Sequence, residues 1–213
     1  RVGVVGVGSL GFHHARLLRG LDAIEFRGFH ESNPVRAETV ARELGVRAFA
    51  TLDALLAEVD AVSIAVPTQG HFAVAKRALD AGKHLLIEKP MTTTLEEADE
   101  LLALAEVKGA VVQIGHIERF NRAIRAALPY VDHPLFIDSD RLAPFSPRGS
   151  DVAVVLDLMI HDIDLLLTLT GAKVREVSAV GIPVLTQSVD IANARITFEN
   201  GAVATITASR VSK

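Results

Sequence analysis

The sequence predicts an α/β protein, a doubly wound parallel sheet followed by a second, α+β domain. Three observations lead there. A glycine-rich turn, Gly6-Val7-Gly8-Ser9-Leu10-Gly11, stands between an apolar strand and a helix. Short apolar strands then alternate with helical spacings as far as Gly115, the pattern of a parallel sheet with crossover helices. Beyond Gly115 the strands lengthen, and Asn200-Gly201 sits between the last two of them as a hairpin signal. The boundary is expected near residues 115–120, giving domains of 1–117 and 118–213.

Val2 to Val5 is the first strand. Each glycine after it does something a side chain would prevent: Gly6 permits the sharp bend, Gly8 lets backbone approach a pyrophosphate, and Gly11 lets the helix pack closely on the sheet. Ser9 and Leu10 open that helix, whose N-terminus offers N–H groups and a positive dipole end to phosphate. The second strand, 24–30, ends in Glu31, about twenty residues past Gly11, where a carboxylate accepts from the adenosine ribose hydroxyls. A carboxylate there repels a 2′-phosphate, which favours NAD over NADP, and Arg36 close by works against that preference. An ordinary glycine turn with no nucleotide is the competing interpretation; strand, turn, helix, strand and acid in this order weigh against it.

Asn33 caps the next helix, with Pro34 at its first position and Gly45 at its end. A short strand near 47–49 and a helix capped by Thr51 follow. Residues 61–66 form a continuous apolar strand, as expected in a sheet covered on both faces. Helix 70–81, strand 84–87, helix 95–107 and strand 110–114 complete the alternation. In such a sheet the ligand lies beyond the strand C-termini, which places the loops 6–11, 67–71 and 88–91 at the site. Further strands are expected at 136–142, 174–180, 190–198 and 202–209, pairing locally.

With 213 residues, 49% of them hydrophobic, the chain can bury a sizeable core. Its net charge is −4 and its Lys and Arg are scattered, so neither nucleic acid nor an anionic membrane is an expected partner. The absence of cysteine excludes disulfides, thiolate nucleophiles and cysteine metal sites, and fits a reducing compartment. No apolar run reaches the ~20 residues that span a bilayer; the nearest, 152–169, is broken by Asp157, His161, Asp162 and Asp164. A cytoplasmic location is expected. The chain opens inside a strand without an initiator Met, so a few residues are expected to precede it.

Two groups of residues could carry chemistry. Glu88-Lys89-Pro90 follows a buried strand, and Pro90 pushes Lys89 toward extended geometry. An ammonium there can stabilise an alkoxide as hydride leaves the adjoining carbon; a solvated surface lysine is the alternative. Asp157, His161 and Asp164 stand at i, i+4 and i+7 of an expected helix, 152–170, and would share one stripe of an otherwise apolar surface. His161 can take a hydroxyl proton near neutral pH while a carboxylate one turn away fixes its tautomer. A satisfied buried His-Asp pair is the alternative, and a metal site from the same three residues is a weaker one.

These residues together resemble the Gfo/Idh/MocA oxidoreductases. The resemblance runs through Gly6 to Gly11 with His14, Val66-Pro67-Thr68 with His71, and Ala81-Gly82-Lys83-His84 leading to Glu88-Lys89-Pro90. It continues through Arg119-Phe120-Asn121, Asp157 to His161 with Asp164, and the Asn200-Gly201 hairpin. It implies a Rossmann domain followed by an open-faced β-sheet domain, binding NAD and acting on a sugar or cyclitol hydroxyl. By motif, Lys89 corresponds to the family's catalytic lysine, and Asp157 and His161 to its Asp-x-x-x-His pair, with His161 as acid/base. Pro67, Thr68, His71 and Glu88 fall on the nicotinamide side, and Arg119, Asn121 and Arg148 where substrate contacts are found. Within the family, the runs 115–121, 157–164 and 190–195 are similar to bacterial members acting on a nucleotide sugar. A free sugar or cyclitol is the alternative substrate, and a non-catalytic NAD-binding regulator the alternative function. The resemblance also implies a homodimer or homotetramer formed through the second-domain sheet. One departure stands out: family members continue past Lys213, so the second domain is expected to be truncated, with an exposed sheet edge.

Overall fold

The computed structural model describes residues 1–146 and 152–212. The chain divides into two units, Arg1–Gly115 and His116–Lys213. The first contains β1 (Val2–Val5), α1 (Ser9–Arg19), β2 (Phe26–His30), α2 (Pro34–Leu44), β3 (Ala48–Phe49) and α3 (Leu52–Leu56). It continues with β4 (Ala61–Ile64), a 3₁₀ turn (Thr68–Gly70), α4 (His71–Asp80), β5 (His84–Ile87), α5 (Leu95–Lys108) and β6 (Val112–Ile114). The six strands lie in the order β3-β2-β1-β4-β5-β6, and every pairing is parallel.

Because side chains alternate across a strand, neighbouring residues of β1 serve opposite faces. Val4 packs with Ala15, Phe29, Val40 and Leu44 on one side, while Val5 packs with Leu55, Ile64, Leu79 and Leu101 on the other. This is why the strands read as unbroken apolar runs. The helix signals in the sequence act as expected. The Asn33 side chain accepts from the Arg36 N–H at 3.1 Å, Gly45 closes α2 in the left-handed region, and Thr51 and Thr94 cap α3 and α5. The helices after β1 and β4 start without any side-chain cap. The strand order reverses between those two strands, which is where a ligand crevice forms.

The second unit opens with a 3₁₀ turn (Ile117–Phe120), α6 (Arg122–Ala127) and another 3₁₀ turn (Leu128–Tyr130). There follow β7 (Phe136–Leu142), one π-helical turn (Val155–Met159), α7 (Ile160–Thr170), β8 (Val174–Ile182), β9 (Ile191–Phe198) and β10 (Val203–Ser209). The sheet runs β7-β10-β9-β8. On one face Ala192, Ala194, Ile196, Ala204, Ile206 and Ala208 pack against Val154, Met159 and Leu166. Small side chains on the strands leave room for the larger ones of the helical segment. The opposite face presents Asn193, Arg195, Thr197, Thr205 and Thr207.

Two expectations are corrected here. The strands do not all pair locally, because β10 forms a hairpin with β9 and then pairs in parallel with the distant β7. The helix expected over 152–170 opens at Val154 with a wide turn before α7 begins, a local shift that hydrophobic spacing does not reveal. One buried feature had no sequence signal. Asp190 accepts from the N–H groups of Val184, Leu185 and Thr186 at 2.7, 2.6 and 2.8 Å and from Arg210 Nε at 2.7 Å. Burial pushes its carboxyl up, but those donors outweigh burial and hold it far below the usual carboxylate range.

Candidate active site

The glycine turn is shaped as its spacing demands. Gly6 has φ +81°, which a side chain rarely adopts, and its N–H donates to His30 O at 2.8 Å. A Cβ on Gly11 would lie 1.9 Å from Gly6 O, so α1 can approach β1 only through a glycine. A Cβ on Gly8 would meet nothing within 4 Å. That open approach, next to the uncapped start of α1 at Ser9 and Leu10, suits a phosphate.

Glu31 and Arg36 grip this turn from the side. Glu31 Oε2 accepts the Val7 N–H at 2.9 Å, and Oε1 accepts the Asn33 N–H at 3.0 Å. Arg36 Nε donates to Val7 O at 2.8 Å, and its guanidinium lies 5.6 Å from the Phe12 ring centroid. Arg36, expected as a cofactor ligand, is thus committed to the backbone of the glycine turn. Glu31 stands at the end of β2, beside that turn, as its spacing from Gly11 implied.

The other two loops meet through buried histidine. His71 is 1% exposed; its Nδ1 lies 2.8 Å from Pro90 O and its Nε2 2.9 Å from Val66 O. It ties the loop of Pro67 and Thr68 to the turn after β5, and therefore shapes the crevice instead of offering a free imidazole to it. Glu88 is held by His14, whose Nε2 lies 3.1 Å from Glu88 Oε1. The other nitrogen of that ring is 2.7 Å from Ser63 Oγ. Burial pushes the Glu88 carboxyl up; the His14 contact and the Lys89 N–H outweigh it, and the group ends below its ordinary value. Lys89 follows, half-buried, at the mouth of the sheet.

In the second unit Asp157 and His161 are half-buried, on the π-helical turn and at the start of α7. Asp164, expected on their stripe, is instead buried and paired with Arg119, which donates from Nε at 2.7 Å and also from Nη2. Through this pair Arg119 anchors the 3₁₀ turn that carries it. Asn121, also expected to touch substrate, caps α6 through Oδ1 on the Ala123 N–H at 2.9 Å, and its amide donates to Glu118 at 3.0 Å. Arg148 lies outside the described residues. Asp162, read from sequence only as an interruption of an apolar run, is buried between Ser139 and Arg141 at 3.1 and 2.6 Å. Ser63, Ser139 and Arg141 carried no signal, because their partners come from other elements. Among the described residues no group of three or more His, Asp or Glu could hold a metal ion.

Residues 1–116 match the family described as "Oxidoreductase family, NAD-binding Rossmann fold", and residues 113–213 match "GFO/IDH/MocA C-terminal domain". The chain is 49% identical, over 99% of its length and 67% of the relative's, to UDP-N-acetylglucosamine 3-dehydrogenase of Acidithiobacillus ferrooxidans. A solved structure of that enzyme superposes with a TM-score of 0.93, covering 100% of this chain and 68% of that one. The scyllo-inositol 2-dehydrogenase (NAD(+)) of Bacillus subtilis is 30% identical over 100% of this chain and 68% of its own. The scyllo-inositol dehydrogenase of Lactobacillus casei, solved with NAD(H) and scyllo-inositol, is 25% identical at a TM-score of 0.86, over 99% and 69% of the two chains. The chain thus spans about two thirds of the length of these relatives.

Proposed function

The chain belongs to the Gfo/Idh/MocA oxidoreductase family, and we propose that it is an NAD-dependent dehydrogenase of a nucleotide sugar, acting on the 3-hydroxyl of UDP-N-acetylglucosamine. The reaction class rests on one observation. The glycine cradle after β1 and the Glu88-Lys89-Pro90 turn after β5 open at the same edge of the sheet, on strands separated only by β4. The substrate is supported by the 49% identity to the Acidithiobacillus enzyme.

The residues present fit NAD. Gly6, Gly8 and Gly11 leave the space, the α1 N-terminus with Ser9 and Leu10 offers N–H groups, and Glu31 would accept from ribose hydroxyls. When bound, NAD supplies the hydride acceptor. Lys89 donates a hydrogen bond to the substrate oxygen, favouring the alkoxide that forms as hydride leaves carbon. His161 accepts the hydroxyl proton, and Asp157 fixes its tautomer. The C–H electron pair departs with the hydride, the O–H proton goes to His161, and a ketone remains. The polar open sheet face of the second unit is the surface proposed for a homodimer or homotetramer.

Full-length protein is mixed with NAD and UDP-N-acetylglucosamine, other UDP-sugars, free sugars or inositols, and absorbance of reduced nicotinamide is followed. Turnover confined to UDP-N-acetylglucosamine is expected; turnover only with inositols refutes the substrate, and tight NAD binding with no turnover refutes the enzyme. Lys89→Ala and His161→Ala should each lower kcat about 10²- to 10⁴-fold, with the Kd for NAD changing by a factor of about three at most. Equal losses in both would place the chemistry elsewhere.

A further inference from the structure

The first unit holds a chain of three side chains that the proposed reaction does not use: Ser63 in β4, His14 on α1 and Glu88 at the end of β5. We propose that His14 is a positioning residue, fixing the Glu88 carboxylate and through it the turn that presents Lys89. This rests on the dehydrogenase reading of Lys89 given above.

The contacts set the proton order. An ionised carboxylate only accepts, so His14 Nε2 carries the hydrogen it shares with Glu88 Oε1 at 3.1 Å. In the neutral ring Nδ1 then accepts from the Ser63 hydroxyl, 2.7 Å away. The second oxygen of Glu88 takes the Lys89 N–H at 3.3 Å. One carboxylate therefore joins the imidazole to the backbone of the lysine. The end of β6 is shaped around it, since a Cβ on Gly115 would lie 3.0 Å from Glu88 Oε1.

A serine, histidine and carboxylate in series are also the parts of a nucleophilic triad. Here Ser63 is 2% exposed, inside a central strand, and no substrate can reach its hydroxyl. The series ends on the lysine turn, and orientation of that turn is what it can supply. Misplacing a reacting group by about an ångström can cost about 10²-fold in rate, so rigidity at this point matters to turnover.

The test separates the two ring nitrogens of His14 in the full-length protein. In His14→Gln the amide reaches the place of Nε2 and keeps the bond to Glu88; in His14→Asn it reaches only the place of Nδ1 and keeps Ser63. Two measurements are made: turnover with NAD, and the acetic anhydride labelling rate of Lys89 relative to exposed Lys173, read by mass spectrometry. His14→Asn should lower kcat about 10- to 100-fold with little change in the Kd for NAD. It should also change relative Lys89 labelling about threefold or more. His14→Gln should resemble the wild type in both. If the two variants behave alike, the proposal is overturned. Gly115→Ala crowds the carboxylate without touching His14, and should shift labelling as His14→Asn does; unchanged labelling overturns the proposal even where His14 variants fold poorly. A wild type without turnover but with the Asn/Gln split in labelling would sink the dehydrogenase and leave the positioning role standing.

Discussion

Gly8 and Gly11 stand three residues apart, yet the structure assigns them opposite liabilities. An alanine at Gly11 places Cβ 1.9 Å from Gly6 O, where ordinary contact begins at 3.4 Å, so backbone must separate from backbone by about 1.5 Å. Such overpacking costs about 3 kcal/mol. Because Gly11 is inside α1, alanine regains about 1 kcal/mol of helix propensity, leaving a net loss of about 2 kcal/mol. In a unit the size of Arg1–Gly115 that corresponds to a fall in Tm of about 8–12 °C. An alanine at Gly8 meets nothing within 4 Å and forfeits only the modest capping preference of glycine, about 0.5 kcal/mol. Its methyl group projects into the approach to the phosphate site, and weakening one or two hydrogen bonds to a charged group raises the Kd for NAD about 10- to 100-fold. Thermal unfolding by circular dichroism and calorimetric titration with NAD measure the two quantities separately. A Gly11→Ala protein as stable as the wild type would refute the close-packing argument. A Gly8→Ala protein that binds NAD normally would refute the placement of the pyrophosphate.

Three further outcomes follow from the same geometry. Glu31→Ser removes the carboxylate that a 2′-phosphate would meet, so affinity for NADP relative to NAD should rise about tenfold; an unchanged ratio by calorimetry would show that Glu31 does not select the cofactor. The Glu88 carboxyl lies below its ordinary value in the folded protein, so the folded state binds that proton less readily than the unfolded chain. Its stabilisation is therefore complete above the unfolded value of about 4.3 and fades as pH falls through the lower folded one. The Tm difference between wild type and Glu88→Gln should stay level down to about pH 5 and close below about pH 4, and a difference that widens on acidification contradicts the assignment. In Asp190→Asn the NH2 must replace either the oxygen that accepts from the three backbone N–H groups or the one that accepts from Arg210 Nε, so one set of donors loses its acceptor and limited proteolysis within 183–189 should accelerate; cleavage at the wild-type rate would mean that Asp190 does not anchor that loop.

Much of the fold was legible because its determinants are local. Asn33 with Pro34, Thr51, Thr94 and Gly45 mark helix ends through contacts with residues three or four positions away. Val4 and Val5 announce a strand buried on both faces by being apolar in succession. The wide turn at Val155–Met159 was not legible, since one altered helical turn leaves the apolar spacing nearly unchanged. Nor was the commitment of Arg119 to Asp164, 45 residues apart. A guanidinium near a motif looks the same in sequence whether it waits for substrate or closes an ion pair.

The sequence by itself determined the glycine cradle, the acid at the end of β2, the lysine turn after β5 and the order of strands and helices, because each depends on spacing along a few residues. Only the tertiary structure decided which polar side chains remain for chemistry. Packing chose partners for His71, Arg36, Arg119 and Asp164 from elements far away in the chain. Burial is the physical reason: a polar group removed from water must be satisfied by whatever the fold brings beside it, and that neighbour is set by the assembled sheet and helices, not by position in the chain.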